Sequence, residues 1–223
     1  MSNNVIDLFA GCGGFSVGFE DAGFSITKAV EFDKQIASTY AANHGNTTLI
    51  VDDIGKVDNE KYFSKGEAPV IVGGPPCQGF SMAGARIRAN GFIDDPRNYL
   101  FKHYVNVVKI VRPKVFVLEN VKGILTMKGG DIFKEIVKTF SSPDTFGGDR
   151  RIVLSREITK IHEQHLRFTI KEAIEYYEEA EVKGEFVILI EGAPKKEVEV
   201  LESIEELMEK YLSDGLSEKD AMK

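Results

Sequence analysis

Five short apolar runs, each opening into a loop with chemical possibilities, constrain this chain more than anything else in it. Val5-Ile6-Asp7-Leu8-Phe9, Phe24 to Val30, Thr47 to Val51, Pro69 to Val72 and Val115 to Leu118 are all of strand length and rich in β-branched or aromatic residues, and the last four are followed at once by Gly or an acidic residue. That is the pattern of buried strands. Helical spacing fills much of the chain between them: a segment from Phe15 to about Gly23, Asp33 to Asn43 with Asp33 as N-cap, and Tyr99 to Val111, stopped by Arg112-Pro113-Lys114. A further amphipathic helix is expected from Asp131 to Phe140. Strand–helix alternation predicts an α/β fold, with a parallel sheet, helices on both faces, and ligands beyond the carboxyl ends of the strands.

What stands at those ends is informative. The first run leads into Ala10-Gly11-Cys12-Gly13-Gly14, a glycine loop that lets backbone N–H groups approach a ligand. The second ends in Glu31, about 20 residues on, where a carboxylate can hold a ribose diol. The third ends in Asp52-Asp53-Ile54, and a carboxylate there can accept from an adenine amino group. The fourth delivers Gly73-Gly74-Pro75-Pro76-Cys77-Gln78-Gly79-Phe80-Ser81, a loop stiffened by two prolines with a thiol at its tip. Read alone, Cys77 is either a buried structural cysteine or a nucleophile. The fifth delivers Glu119-Asn120, and residues 82–98, with Arg86, Arg88 and Arg97, read as a loop able to reach phosphate.

At 223 residues and 43% hydrophobic, the chain can build one good core. No apolar run approaches the ~20 residues of a membrane span, and no secretory leader pattern is present. With only Cys12 and Cys77, both expected as free thiols, a reduced cytoplasmic setting is expected. Net charge is −7, and it is uneven: residues 150–223 carry 12 Lys and Arg against 18 Asp and Glu, whereas 1–149 carry 16 against 17. That step places a boundary in the turn-rich stretch 143–149. The expected organisation is therefore a catalytic and cofactor domain over 1–142, a junction at 143–149, and a small α+β tail over 150–223.

Over residues 5–140 the chain resembles the cytosine-5 DNA methyltransferases. The carriers are Asp7-Leu8-Phe9-Ala10-Gly11-Cys12-Gly13-Gly14, Glu31, Asp53-Ile54, Gly74-Pro75-Pro76-Cys77-Gln78, Asp95-Pro96-Arg97-Asn98-Tyr99-Leu100-Phe101 and Glu119-Asn120-Val121, in the family's order. The resemblance implies a Rossmann-like sheet that binds S-adenosylmethionine through Phe9, Gly11, Gly13, Glu31, Phe32, Asp53, Ile54, Gly74, Pro76 and Leu100. It implies that Cys77 adds to C6 of a cytosine flipped out of DNA while Glu119 serves N3, and that no metal or membrane takes part. Cys12 reads as a small loop residue. A restriction-modification setting is expected.

The family's Gln-x-Arg-x-Arg motif and recognition region are not found after Phe140, so the sheet is read as truncated. Arg151 to Lys160 reads as a strand running into a polar turn, Thr169 to Ala180 as a helix, Lys183 to Gly192 as a turn and strand, Val198 to Leu212 as an acidic helix, and Ser217 onward as the start of another. Ser155-Arg156-Glu157-Ile158-Thr159-Lys160 and Lys183-Gly184-Glu185-Phe186-Val187 resemble the C-terminal domain of ribosomal RNA 2′-O-ribose methyltransferases. The tail strands are expected to cover the exposed edge of the front sheet, and His162-Glu163-Gln164-His165 reads as a solvated helix face. Alternatives to autonomous cytosine methylation are a cofactor-binding but silent fragment, a subunit needing a complementing recognition subunit, and an RNA methyltransferase.

Overall fold

The computed structural model describes residues 2–76, 100–120, 150–179 and 184–192. Within one compact unit, Met1–Ala193, eight strands form a single sheet: β1 (Asn4–Leu8), β2 (Ser25–Glu31), β3 (Thr48–Val51), β4 (Val70–Gly73), β5 (Val115–Asn120), β6 (Arg151–Arg156), β7 (Gln164–Thr169) and β8 (Phe186–Glu191). Their order is β3-β2-β1-β4-β5-β8-β6-β7. The first five are mutually parallel, as the alternation predicts. Their carboxyl ends therefore emerge along one side, and the order reverses between β1 and β4, where such sheets open a crevice.

Five helices are described: α1 (Gly14–Asp21), α2 (Lys34–Asn43), α3 (Asn59–Tyr62), α4 (Leu100–Val111) and α5 (Ile170–Glu179). Asp33 caps α2, its carboxylate accepting from the N–H groups of Gln35 (2.7 Å) and Ile36 (3.1 Å). Gly23, at φ 83°, turns the chain out of α1. Along α4 the buried residues Phe101, Tyr104, Val105, Val107, Val108 and Val111 fall on one face. Tyr104 also pins the sheet: its hydroxyl lies 2.9 Å from the carbonyl of Val117 and 3.2 Å from that of Ile71, bridging β5 and β4. Alternating strand residues feed two faces. Ile6, Leu8, Ile71, Phe116 and Leu118 pack under α4 and α5. Val5, Ile26, Val72 and Val117 pack with Phe15, Phe19 and Phe24 on the other side.

The expected edge covering is present. β8 lies antiparallel against β5, from Val115↔Glu191 to Asn120↔Phe186, and β6 pairs antiparallel with its other side. The inner residues of β8, Phe186, Ile188 and Ile190, are buried. Two elements are added to the sequence expectation. α3 is a single turn capped by Asp58. β7 replaces the helix face assigned to His162–His165: His165 stands on a strand paired with β6, its Nδ1 2.9 Å from Ser155 Oγ and its Nε2 2.9 Å from Glu163 Oε1. The alternation His165-Leu166-Arg167-Phe168 carries the period of two, with Leu166 and Phe168 half-buried and His165 and Arg167 exposed. The helices expected at 131–140 and 198–212, the segment from Ser217 and the junction at 143–149 lie outside the described residues.

Ile188 is 2% exposed and sits between Leu118 and Leu154. Ile188→Ala should therefore lower stability by about 2–5 kcal/mol in urea unfolding. A loss below about 0.5 kcal/mol would show that β8 does not carry this packing.

Candidate active site

The register of the parallel strands sets out the site. Leu8 pairs with Val30 and Gly73, and Gly73 with Leu118. One residue further along each strand stand Phe9, Glu31, Gly74 and Glu119, a row across the carboxyl side of four strands. Seven of the residues expected to act, Phe9, Gly11, Glu31, Phe32, Gly74, Pro76 and Glu119, stand on this row or within two residues of it along the chain.

At one end, the glycine loop is held against β2. Ala10 N–H donates to Val30 O (2.9 Å) and Gly13 N–H to Ala10 O (2.9 Å). Glu31 organises the turn with both oxygens: Oε2 accepts from Gly11 N–H at 2.9 Å and Oε1 from Asp33 N–H at 2.8 Å. A carboxylate offers about four lone-pair sites, so two remain for the hydroxyls of a ribose. Phe32 is 70% exposed beside it, an aromatic face a planar base would cover. Phe9 is half-buried, with φ 60°. An added Cβ would meet nothing within 4 Å at Gly11 or Gly14, so the loop borders open space. At Gly13, φ 95° and the rings of His44 and Tyr40 leave no room for one. Cys12 is exposed and free.

Asp53 is half-buried and its Oδ1 accepts from Gly55 N–H at 2.9 Å, closing the turn after β3. Ile54 is 3% exposed and belongs to the core under α4, so it supports this turn from below. Leu100, the first residue of α4, is half-buried against the same core. At the other end of the row, Pro75 is buried and Pro76 half-buried. A Cβ on Gly74 would come within 2.7 Å of Glu119 Oε2, so the Glu119 carboxyl lies directly against the bare backbone at the end of β4. Burial first, and the carboxylate of Glu185 second, push the Glu119 carboxyl above the usual carboxylate range. Cys77, with the whole of 77–99, lies outside the described residues.

Sequence reasoning missed the support beneath the loop. Asp7 is fully buried; its Oδ2 accepts from Ser16 Oγ at 2.7 Å, and that hydroxyl lies 2.7 Å from Tyr40 Oη. Asp7 Oδ1 has no hydrogen-bond partner. The Tyr40 ring packs on His44, centroids 4.4 Å apart, and His44 Nδ1 meets Glu20 Oε2 at 2.9 Å. These residues join β1, α1 and α2, and only the i, i+4 spacing of Tyr40 and His44 hinted at a link.

Residues 3–196 match the model of the family described as C-5 cytosine-specific DNA methylase. The chain belongs to that family. The matched range runs through β8, beyond the 5–140 that carry the motifs. Among curated relatives, the Type II methyltransferase M1.HphI of Haemophilus parahaemolyticus is 43% identical over 143 residues, 63% of this chain and 38% of that protein. M.DdeI of Desulfomicrobium norvegicum is 48% identical over 126 residues, 56% of this chain and 29% of that protein. M.AquIA of Picosynechococcus is 37% identical over 66% of this chain and 60% of that protein. The chain thus spans about a third of the length of the first two. Among solved structures, a prophage-encoded E. coli protein assigned as a DNA modification methyltransferase superposes with TM-score 0.56 and 28% identity, covering 85% of this chain and 46% of that one. A Spodoptera frugiperda DNMT2 mutant superposes with TM-score 0.51 at 17% identity over 85% of this chain and 50% of its own, a likeness of fold.

Burial raises the Asp7 carboxyl to about 7, with Ser16 only partly offsetting it. The folded protein therefore binds this proton more tightly than the unfolded chain, and the preference is lost as pH rises from about 4 to about 7. Asp7→Asn should flatten that fall in stability, worth a few kcal/mol across the window. Urea unfolding at pH 5 and pH 8 checks it: equal slopes in both proteins would refute a buried, titrating Asp7.

Proposed function

We propose that this chain catalyses transfer of a methyl group from S-adenosylmethionine to C5 of cytosine in DNA, in the manner its family membership suggests. The observation that carries the reading is the strand-end row, with Glu31 at one end and Glu119 beside Gly74-Pro75-Pro76 at the other. The order of the strands brings residues able to hold a cofactor and a residue able to serve a base to the same side of the sheet. Glu31 would hold the ribose and Phe32 with Asp53 the adenine, while Phe9, Gly11, Gly13, Gly74, Pro76 and Leu100 shape the cavity and Ile54 backs it. The cofactor, when bound, supplies an electrophilic methyl group as its sulfonium.

The rest of the chemistry belongs to side chains. Cytosine C5 is a poor nucleophile, so the ring must first be activated. The Cys77 thiolate adds to C6 and Glu119 gives a proton to N3, so that the electrons of the C5–C6 bond become available at C5. A carboxyl held above its usual range is suited to that donation at neutral pH. Once C5 is methylated, loss of its proton and departure of the Cys77 sulfur from C6 restore the aromatic ring, and N3 returns its proton to Glu119. The target atom is inaccessible in stacked DNA, so the base must leave the duplex. Among the described residues no helix is long and apolar enough to cross a membrane, and we place the reaction in the cytoplasm. Because the chain spans about a third of its first relatives, a complementing recognition subunit is a second partner to test.

DNA containing 5-fluorocytosine should trap the intermediate, since fluorine at C5 cannot leave as a proton does. The expected result is a covalent adduct in the presence of S-adenosylmethionine, abolished by Cys77→Ala and slowed about 10²–10⁴-fold by Glu119→Gln. Glu31→Ala should weaken cofactor binding about 10- to 100-fold in calorimetry, the loss of a charge-assisted hydrogen bond. Cofactor binding without an adduct on any DNA, with or without an added recognition region, would sink the catalytic reading.

A further inference from the structure

The turn between β6 and β7 and the approach to β8 bring a built cluster of charges to the open end of β5. Glu157 Oε1 accepts from Glu185 N–H at 2.8 Å and lies 3.3 Å from Lys160 Nζ. Lys160 Nζ in turn stands 2.6 Å from Glu185 Oε2. The backbone is shaped for this: Glu157 and Thr159 adopt left-handed φ of 52° and 67°, and Thr159 N–H donates to Glu163 Oε2 at 2.7 Å. Gly184, at φ 99°, has no room for a Cβ beside the Glu157 carboxylate. Left-handed backbone at two non-glycine residues is costly unless the surroundings enforce it.

Register connects this cluster to the candidate acid. Glu119 pairs with Val187, and Glu185, two residues earlier and just ahead of β8, is at the separation of a diagonal neighbour, within reach of long side chains. The described elements packed against Glu119 present few charges to it. β4 offers the uncharged Gly74, β8 offers Glu185, and the turn offers Glu157 and Lys160 through their contacts with Glu185. Among the described residues, burial and the Glu185 carboxylate are what bear on the charge of Glu119. The Glu185 carboxylate acts in the same direction as burial.

We propose that Glu185 is a positioning residue for the reaction, its carboxylate favouring a proton on Glu119, and that Lys160 limits this effect by pairing with Glu185. The inference rests on the reading of Glu119 as the group that serves N3. It gives the β6–β7 turn a part in the chemistry through Glu185.

The test follows the Glu119 carboxyl directly, by ¹³C NMR titration of the full chain labelled at glutamate, with Glu119→Gln identifying the signal. Glu185→Gln should move the titration midpoint down, and Lys160→Met should move it up, each by about half a pH unit, as expected for charges partly screened by water. Lys160→Arg should restore the wild-type midpoint, and 0.5 M salt should shrink both shifts. The alkaline limb of adduct formation with 5-fluorocytosine DNA should move in the same directions. An unmoved Glu119 midpoint in a folded Glu185→Gln protein overturns the proposal. Shifted midpoints with no adduct in any protein, wild type included, support the electrostatic coupling and count against the catalytic reading instead.

Discussion

The antiparallel pairing of β8 with β5 is the contact on which the rest of this structure depends. Five parallel strands ending at β5 would leave a row of unpaired backbone groups beside the one strand that delivers a candidate acid. β8 satisfies that row along six residue pairs and carries β6 and β7 with it. Its alternation, buried at Phe186, Ile188 and Ile190 and half-buried between, fits a strand with protein on both edges and a thicker core on one face. An acidic, glycine-poor tail thus completes the sheet of a glycine-rich front.

Parallel order then does the positioning. Because β1 to β5 run the same way, residues far apart in the chain stand shoulder to shoulder at one side. Glu31 and Glu119 are placed by register rather than by any contact between them. Each is tuned locally. Glu31 is tied down by two backbone N–H groups, which fixes its orientation and leaves acceptor capacity. Glu119 is half-buried beside a glycine and near a second carboxylate, which favours its protonated form. Two glutamates at equivalent places in the sheet are thereby suited to different tasks, holding and proton donation.

Much of this was legible in the chain. The strands of the front, the N-cap at Asp33, the stop at Arg112-Pro113 and the strand-end positions of Glu31, Asp53 and Glu119 follow from periodicity and turn chemistry, which are local. Ile54 shows the limit of motif reading: it follows an acidic residue at a strand end, yet its side chain faces the core. β7 was missed because six residues of alternation compete poorly with helix-like polar spacing when the partner strand is unknown. The Asp7–Ser16–Tyr40 line could not be foreseen either, since it needs three elements to pack before its members meet.

The sequence by itself determined the fold class, the order of the motifs and which residues reach the strand ends, because strand and loop signals are encoded within a few residues. Only the tertiary structure decided that Glu119 faces Gly74, that the Glu185 carboxylate from the tail comes near it, and that Lys160 pairs with Glu185. Those are consequences of pairing between segments that are far from neighbours in the chain. Register depends on how two faces pack, which no local stretch specifies.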